Sequence, residues 1–301
     1  NHIVIVGAGT MGTDLAVKLS GSGVRVTVVG RPGGRADTFD VRSTSAARDL
    51  DVSPDDLDMR LVSDLMSVDW LSADLVIENV VENLEVKQSI FKQIVSLANK
   101  KTIITSNSST FGISLIANGL SQQARFFGLH FFMPAHLVPL VEIVMSESSD
   151  LQTANEIKQY LSVRNFVPVI VYKDVPGFLA NRIQAAMMRE VWHILEREIA
   201  TPEDVDKAVM FGFGCRFLAA GPIMQKEISG LDVTYSANTG VFSDLSNADK
   251  PPSFLAEKVK RGEIGMKSER GFWHWNQASI REARERYMHK LKSSIKVLLE
   301  K

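Results

Sequence analysis

A histidine and a glutamate twelve positions apart are the residues best suited by type and spacing to transfer a proton. Glu142 lies inside the apolar run 140–144, where a carboxylate is costly to bury unless it is paired. His130 would lie within reach on the neighbouring strand of a hairpin-like return. The carboxylate would fix the imidazole tautomer and leave the second ring nitrogen free to take a proton from a hydroxyl group. Without Glu142, His130 would be interpreted as a core residue.

A run of polar side chains follows another predicted strand. The segment 106–110 contains four hydroxyl groups and one amide, with Asn107 and Ser109 among them. We expect it at the carboxyl edge of the sheet, where open α/β folds bind their ligands. Taken alone, such a run is more typical of a turn and a helix cap. Asn181 is likewise either a buried amide bonded to backbone or a donor that faces a ligand.

Three glycines directly after the first predicted strand indicate a dinucleotide-binding turn. Gly7 permits the tight turn, Gly9 lets the backbone approach a pyrophosphate, and Gly12 lets helix and strand pack closely. The helix that follows begins near Thr10 and Met11, and its first N–H groups have no partner of their own. The context of strand and helix favours a bound dinucleotide over glycines that merely turn the chain.

The end of the second predicted strand bears on which dinucleotide is bound. An acidic residue is expected there when the adenine ribose belongs to NAD, but this sequence has Gly30 followed by Arg31. No carboxylate would repel a 2′-phosphate, and Arg31 and Arg35 could pair with one. The sequence is compatible with NAD(H) or NADP(H) as the cofactor and favours NADP(H). The alternative is that Arg31 simply lies in solvent.

The elements that would position these residues predict an α/β chain of two domains. Short β-branched runs alternate with helical patterns over residues 1–174, which predicts a Rossmann-type, doubly wound and mostly parallel sheet. Residues 175–301 predict an all-α domain, since Pro176 and Gly177 mark a break in the pattern. The predicted strands are 3–6, 24–29, 60–62, 75–78, 103–106, 125–130, 141–144 and 167–171.

Two helices of the second domain can be outlined from their apolar spacing. The first spans 177–198 and would carry Phe178 and Asn181 on one face. The last spans 279–301, is rich in charge, and would pack on its own domain or on a partner subunit.

Composition and charge exclude several classes of protein. With 34 basic and 35 acidic residues, the net charge of −1 supplies no broad field for nucleic acid or an anionic membrane. The single cysteine, Cys215, excludes an internal disulfide and is expected to be a small buried residue. No ligand cluster predicts a metal site. The first apolar run is too short for a signal peptide or a membrane span, so we expect a cytoplasmic protein.

These stretches together resemble the L-3-hydroxyacyl-CoA dehydrogenase family over essentially the whole chain. The matching segments are 7–12, 74–83 with Lys87, 106–109, 128–132, 139–142, 176–182, 201–206, and 271–273 after Gly265. Their number and order make the resemblance specific. It implies hydride transfer between C3 of a 3-hydroxyacyl-CoA and a nicotinamide dinucleotide, in fatty acid metabolism. It also implies a homodimer built mainly through the helical domain.

The resemblance implies roles for particular residues as well. The base and the residues that hold it or bind the reacting oxygen would be His130, Glu142, Ser109 and Asn181. Besides the glycine loop and Arg31, the cofactor contacts would be Glu82, Lys87 and Asn107.

Three departures from the family pattern concern the substrate and the cofactor. Met133 stands where the family usually has an asparagine, so a thioether that can only pack replaces one polar contact. Gly30 stands in place of the acidic residue. The stretch 31–59 is shorter than the helix pair that members use to contact the CoA adenine, and Pro32 would break a helix at its start.

A further segment, 212–222, is similar to carnitine and gulonate dehydrogenases, whose substrates carry a carboxylate. Arg216 in this segment is either a clamp for such a group or one half of a structural ion pair. A 3-hydroxyacyl-CoA is the first prediction for the substrate, and a small free 3-hydroxy acid is the alternative. A non-catalytic dinucleotide-binding protein, as in the lens crystallins, is disfavoured because His130 and Glu142 are intact.

Overall fold

The computed structural model of the chain describes residues 1–300. The chain divides into two compact units, Asn1–Arg182 and Ile183–Lys301, called unit 1 and unit 2 below. The predicted boundary after residue 174 lies upstream of this division and stays a prediction. The predicted end of the helical domain, Lys301, lies outside the described residues.

Unit 1 is built on a single sheet of eight strands. They are β1 (His2–Val6), β2 (Arg25–Val29), β3 (Met59–Val62), β4 (Leu75–Glu78), β5 (Ile103–Ser106), β6 (Phe126–Phe131), β7 (Leu140–Met145) and β8 (Val167–Val171). Their order is β3-β2-β1-β4-β5-β6-β7-β8, and only the β6–β7 pair is antiparallel. The predicted doubly wound, mostly parallel sheet is confirmed, with every strand end within one residue of its predicted position.

Helices cover both faces of this sheet, which explains why its strands are continuous apolar runs rather than alternating ones. The helices of unit 1 are α1 (Thr10–Ser20), α2 (Phe39–Asp49), α3 (Leu84–Leu97), α4 (Ile113–Ile116), α5 (Leu151–Ser162) and the start of α6 (Ala180–Glu196). Leu15 of α1 and Ile157 of α5 are buried in one apolar cluster, while Phe91 of α3 belongs to a second cluster. The sheet is therefore packed against apolar side chains on both faces.

Up to residue 300, unit 2 contains the rest of α6 and five further α-helices. These are α7 (Pro202–Lys207), α8 (Pro222–Ser229), α9 (Leu231–Val241), α10 (Ser253–Lys260) and α11 (Gln277–Leu299). The predicted helical character is confirmed, although isolated β-bridges join Arg270 to Gly265 and His274. Cys215 is exposed, so the prediction that it is buried is wrong. It lies in a short 3-10 segment whose residues are all exposed or half-buried.

The length and apolar content of a helix decide whether it could span a membrane. Among residues 1–300 no single helix is long and apolar enough to cross one. The segments Pro202–Leu218 and Pro222–Ser229 reach that length and composition only as a pair, bent by 89°.

Candidate active site

His130 and Glu142 lie directly opposite each other in the antiparallel pair β6–β7. The distance from His130 Nδ1 to Glu142 Oε2 is 2.8 Å, and both side chains are buried. The contact follows from the sequence, because two strands that pair through a short return bring facing residues within hydrogen-bond reach. The predicted pairing is thus present, while the catalytic role of His130 stays a prediction.

The turn before helix α6 closes the other side of the imidazole. Phe178 packs edge-on against the His130 ring with centroids 5.4 Å apart, and Phe132 lies 4.6 Å away. Phe178 has a φ of +50° and precedes the helix, which begins at Ala180. The prediction that Phe178 lies on the helical face is therefore wrong, because Gly177 and Phe178 both take left-handed conformations that a helix cannot contain.

The second ring nitrogen of His130 is free for chemistry. Within residues 1–300, no protein group is hydrogen-bonded to His130 Nε2. The side chains of Ser109 and Asn181 also have no hydrogen-bond partner among these residues, and neither residue is buried. Both remain candidates for binding a reacting oxygen. Met133 is 65% exposed, so its thioether does not fill the place of a packed residue.

Asn107 forms hydrogen bonds that connect the ends of strands β4, β5 and β6. Its Oδ1 accepts from the Phe131 amide at 2.8 Å, and its Nδ2 donates to Asn79 Oδ1 at 2.7 Å. Both halves of the amide are therefore used within the protein. The role that this geometry supports for Asn107 is to hold the loop after β5 against β4 and β6, and a cofactor contact stays a prediction.

A buried lysine links two carboxylates beside this loop. Lys87 Nζ lies 2.9 Å from Glu78 Oε1 and 3.2 Å from Glu82 Oε2, and its side chain is 1% exposed. Glu78 also accepts from the Ser106 hydroxyl at 2.6 Å, and Glu82 accepts from the Ser108 hydroxyl at 2.5 Å. The predicted cofactor contacts Lys87 and Glu82 are thus members of an ion-pair network that shapes the Ser106–Ser108 loop.

The charge state of Glu82 follows from these contacts. Burial alone would raise the pKa of Glu82, but the Ser108 hydroxyl and the Lys87 ammonium outweigh it and hold the pKa below its usual value. Glu82 is therefore ionised at neutral pH.

A signal for this network is present in the sequence. Glu78 ends an apolar strand, as Glu142 interrupts one, and such a carboxylate requires a partner. The resemblance to the family indicates Lys87 only as a cofactor contact. The carboxylate at the end of β4 is what would have pointed to Lys87 as a structural cation.

His136 is a second buried group whose partners the sequence does not indicate. Its nearness to His130 along the chain predicts only that it could line a pocket. In the structure its ring lies between Asp14, 3.0 Å from Nδ1, and Asp49, 3.2 Å from Nε2. Both carboxylates come from segments far away in the chain, so local spacing could not reveal them.

The glycine loop fits a bound pyrophosphate. A Cβ on Gly12 would lie 1.9 Å from the Gly7 carbonyl oxygen, and one on Gly7 would lie 2.5 Å from the Asn79 carbonyl oxygen. Helix α1 begins with no side-chain cap and no acidic residue in its first turn. Its first backbone amides therefore remain available to an anion, as the chemistry of a dinucleotide requires.

The position expected to hold an acidic residue is closed. A Cβ on Gly30 would lie 2.5 Å from the Ala8 Cβ and 3.0 Å from the Ala36 Cβ. Arg31 is exposed and has no ion-pair partner among residues 1–300. Arg35 instead crosses the glycine loop, where its Nη1 lies 3.4 Å from Thr10 Oγ1.

Arg216 lies in unit 2, in the same exposed 3-10 segment as Cys215. Within residues 1–300 it makes no ion pair or side-chain hydrogen bond, so the structural ion pair considered for it is absent. Its guanidinium remains available to an anionic ligand.

A Rossmann-type sheet with a dinucleotide loop and a histidine–glutamate pair defines the class of nicotinamide-dependent oxidoreductases. The family profiles described as "3-hydroxyacyl-CoA dehydrogenase, NAD binding domain" and "3-hydroxyacyl-CoA dehydrogenase, C-terminal domain" match residues 2–175 and 177–275. The chain therefore belongs to the 3-hydroxyacyl-CoA dehydrogenase family and is an oxidoreductase.

Individual relatives differ in what they act on. The chain is 31% identical over 277 residues, 90% of each chain, to 5-formyl-3-hydroxy-2-methylpyridine 4-carboxylate 5-dehydrogenase from Mesorhizobium japonicum. A crystal structure of an enzyme of that name, described as an NAD+ dependent dismutase, superposes with a TM-score of 0.92 at 30% identity and covers 99% of this chain and 98% of that one. The (S)-3-hydroxybutyryl-CoA dehydrogenase of Ralstonia eutropha superposes at 0.73 with 26% identity, covering 92% and 99%.

Proposed function

We propose that this chain oxidises a hydroxyl-bearing carbon of a small free carboxylic acid, with His130 as the base and a nicotinamide dinucleotide as hydride acceptor. The His130 ring carries the proposal, because Nδ1 contacts the buried Glu142 carboxylate and Nε2 has no partner among residues 1–300. A neutral ring that donates from Nδ1 to Glu142 keeps a lone pair on Nε2 for the hydroxyl proton. When bound, the dinucleotide supplies the nicotinamide carbon that accepts the hydride.

Ser109 and Asn181 would bind the reacting oxygen. The Ser109 hydroxyl and the Asn181 amide can donate to an oxygen that gains negative charge when the reaction runs toward the alcohol. In that direction His130 returns the proton from Nε2. The Lys87 network would hold the loop that carries Ser109, since Glu82 accepts from the Ser108 hydroxyl and the Thr110 amide.

Three observations support a free acid over the CoA ester predicted first. Only one α-helix, Phe39–Asp49, separates β2 from β3, so the longer helical arm expected to contact a CoA adenine is not formed here. The guanidinium of Arg216 has no ion-pair partner among residues 1–300, and it lies in a segment similar to enzymes whose substrates carry a carboxylate. The relative named for a pyridine carboxylate also matches the whole chain closely in structure. The CoA ester remains the competing substrate.

The two substrate classes can be compared by offering acetoacetate and acetoacetyl-CoA with each reduced dinucleotide and following the absorbance of the nicotinamide. We expect higher kcat/KM for the free acid. Arg216→Met should raise the KM for the free acid roughly tenfold or more, since it removes a charge-assisted pair, whereas Arg281→Met on the exposed face of α11 should not. A preference for acetoacetyl-CoA that Arg216→Met leaves unchanged would restore the CoA ester.

Replacement of the base tests the catalytic assignment. His130→Ala should lower kcat by about 10²- to 10⁴-fold, the usual contribution of a general base, while the Kd of the dinucleotide stays the same. His289→Ala, on the exposed surface of unit 2, is the matched control. Turnover within a few-fold of the parent would contradict the role of His130.

We propose that the chain prefers NADP(H) to NAD(H). The closed position at Gly30 supports it, as does Arg31, which has no ion-pair partner among residues 1–300. The match to the family's NAD binding domain and the NAD+ dependent relative support NAD(H) as the alternative. Calorimetric titration with NADPH and NADH decides between them, and tenfold tighter binding of NADH would refute the preference.

A homodimer through unit 2 is part of the same proposal. Val205 and Ile280 are the only buried apolar residues of unit 2 within the described part of the chain. Large apolar side chains such as Phe211, Ile228 and Tyr235 are more than three-quarters exposed. Monomeric proteins rarely leave such patches open, so a second copy is the occupant we propose.

A further inference from the structure

The two oxygens of the Glu142 carboxylate have different partners. Oε2 accepts from His130 Nδ1 at 2.8 Å. Oε1 accepts from the backbone amides of Ala180 at 2.7 Å and Leu179 at 3.1 Å. The side chain of Glu142 is completely buried, so water does not compete for either oxygen.

The amides held by Glu142 are those at the start of helix α6. Ala180 is the first helical residue, and its N–H is one of the groups that a helix leaves without an internal partner. Glu142 satisfies it from strand β7 and places negative charge at the positive end of the helix. Asn181 is the next residue of the helix, so its direction is set by the same attachment.

The turn that precedes this attachment contains two successive left-handed residues and needs external support to keep its shape. Gly177 has a φ of +76° and Phe178 a φ of +50°. The second value is strained for a residue with a Cβ. Besides the two bonds to Glu142, three local bonds hold this turn. The Phe178 amide donates to the Val175 carbonyl oxygen at 3.0 Å, and Arg182 donates to the carbonyl oxygens of Gly177 at 3.2 Å and Pro176 at 3.1 Å.

We infer that Glu142 is a positioning residue for Asn181 as well as for His130, and thereby fixes the separation of the base from the amide that binds the reacting oxygen. The inference rests on the proposed function for the roles of His130 and Asn181. One carboxylate bridges the two groups, so neither can move against the other without loss of a buried hydrogen bond. Glu142 then determines how a substrate is oriented between His130 and Asn181.

Substitution by glutamine separates the two roles. In Glu142→Gln the carbonyl oxygen must face the two amide donors, which leaves the NH₂ group toward His130. His130 Nδ1 then accepts, its proton moves to Nε2, and the neutral ring can no longer act as a base. Glu142→Gln therefore keeps the attachment of α6 and loses the base, whereas Glu142→Ala loses both.

The factor by which Asn181→Ala lowers kcat/KM is the measurement that tests the inference. We expect the same factor, within about twofold, in the parent and in the Glu142→Gln background. In the Glu142→Ala background the factor should fall close to one, because Asn181 is already displaced. An equal factor in the parent and in Glu142→Ala would overturn the inference.

Ala180→Pro gives a second route if Glu142→Ala does not fold. Proline is tolerated at the first helical position and lacks one of the two N–H groups that Oε1 accepts, while the Leu179 amide and the pair between Glu142 and His130 stay in place. Because the attachment is then weakened but not abolished, Asn181→Ala should have a smaller effect in this background than in the parent. A full effect of Asn181→Ala there would count against positioning through Glu142.

Backbone hydrogen exchange separates failure of this inference from failure of the proposed function. Exchange at Leu179 and Ala180 should be at least tenfold faster in Glu142→Ala than in the parent and unchanged in Glu142→Gln. This readout needs no turnover, so it stands even if none of the offered acids is oxidised. Unchanged exchange in Glu142→Ala would show that the carboxylate does not hold the helix.

Discussion

The two units of this chain differ in how much apolar surface each buries by itself. Unit 1 packs a sheet between helices, and residues such as Ile3, Leu15 and Ile77 are fully buried. Unit 2 is mostly helical, yet Val205 and Ile280 are its only buried apolar residues within the described part of the chain. The first unit therefore has a large core of its own, whereas the second leaves many large apolar side chains exposed.

The charged residues named in the proposal also differ between the units. In unit 1 the charged side chains near the site are locked into pairs, as Lys87 is with Glu78 and His130 with Glu142. In unit 2 Arg216 has no ion-pair partner among the described residues. The proposed base is thus fixed by a buried partner, whereas the proposed Arg216 clamp is not.

The largest effect is expected when charge is introduced at the exposed apolar side chains of unit 2, such as Phe211 and Ile228. Phe211→Glu combined with Ile228→Glu should weaken self-association by roughly a thousandfold, because an unpaired carboxylate costs several kcal/mol to bury. Sedimentation velocity over a range of concentrations measures the change. Met66→Glu, at a side chain that is 78% exposed in unit 1, is the control and should leave assembly unchanged. A parent chain that is monomeric throughout would disprove the proposed dimer.

The next largest effect is expected when the ion pairs of the buried Lys87 with Glu78 and Glu82 are removed. Lys87→Met leaves the buried carboxylate of Glu78 without its cation, so the free energy of unfolding should fall by about 3–5 kcal/mol. Urea titration measures this loss. Lys92→Met, an exposed position on the same helix, should change it by less than about 0.5 kcal/mol. Equal stability of the two variants would show that the ion pairs do not secure this edge.

A smaller effect is expected from a charge that the unit 1 core tolerates poorly. Burial lowers the pKa of Lys18 to about 8 from 10.5, and its ammonium lies over the Phe166 ring at 4.5 Å. Between pH 8 and 10.5 the unfolded chain binds more protons at this lysine, so its contribution to stability rises with pH and is least favourable below pH 8.

Lys18→Met should therefore stabilise the fold at pH 7 by roughly 1–3 kcal/mol. The gain should shrink steadily from pH 8 upward and vanish above pH 10.5. Thermal unfolding of parent and variant across that range measures it. A gain that does not depend on pH would assign the effect to packing rather than to the charge.

The sequence predicted the sheet well because its strands are buried on both faces and read as continuous apolar runs. It also predicted the contact of His130 with Glu142, since a carboxylate within such a run requires a partner. The same reasoning extends to Glu78 and its cation Lys87. Long-range ion pairs are found from sequence only when one partner is conspicuous in an apolar run.

Two errors have a common physical origin. Phe178 fits the apolar spacing of a helix, but the bonds of Glu142 to Leu179 and Ala180 set where that helix begins. Cys215 is exposed because its surroundings in unit 2 are not closed over by the chain itself. Local spacing carries no information about a tertiary cap or about whether distant segments cover a side chain.

The filled space around Gly30 limits how the cofactor preference of this enzyme can be altered. An aspartate introduced there in one step would collide with Ala8 and Ala36 before it reached a ribose. A design that adds an acid at this position would have to rebuild the turn around Ala36 first. The order in which the substitutions are made would therefore decide whether the folded protein can accept the acid.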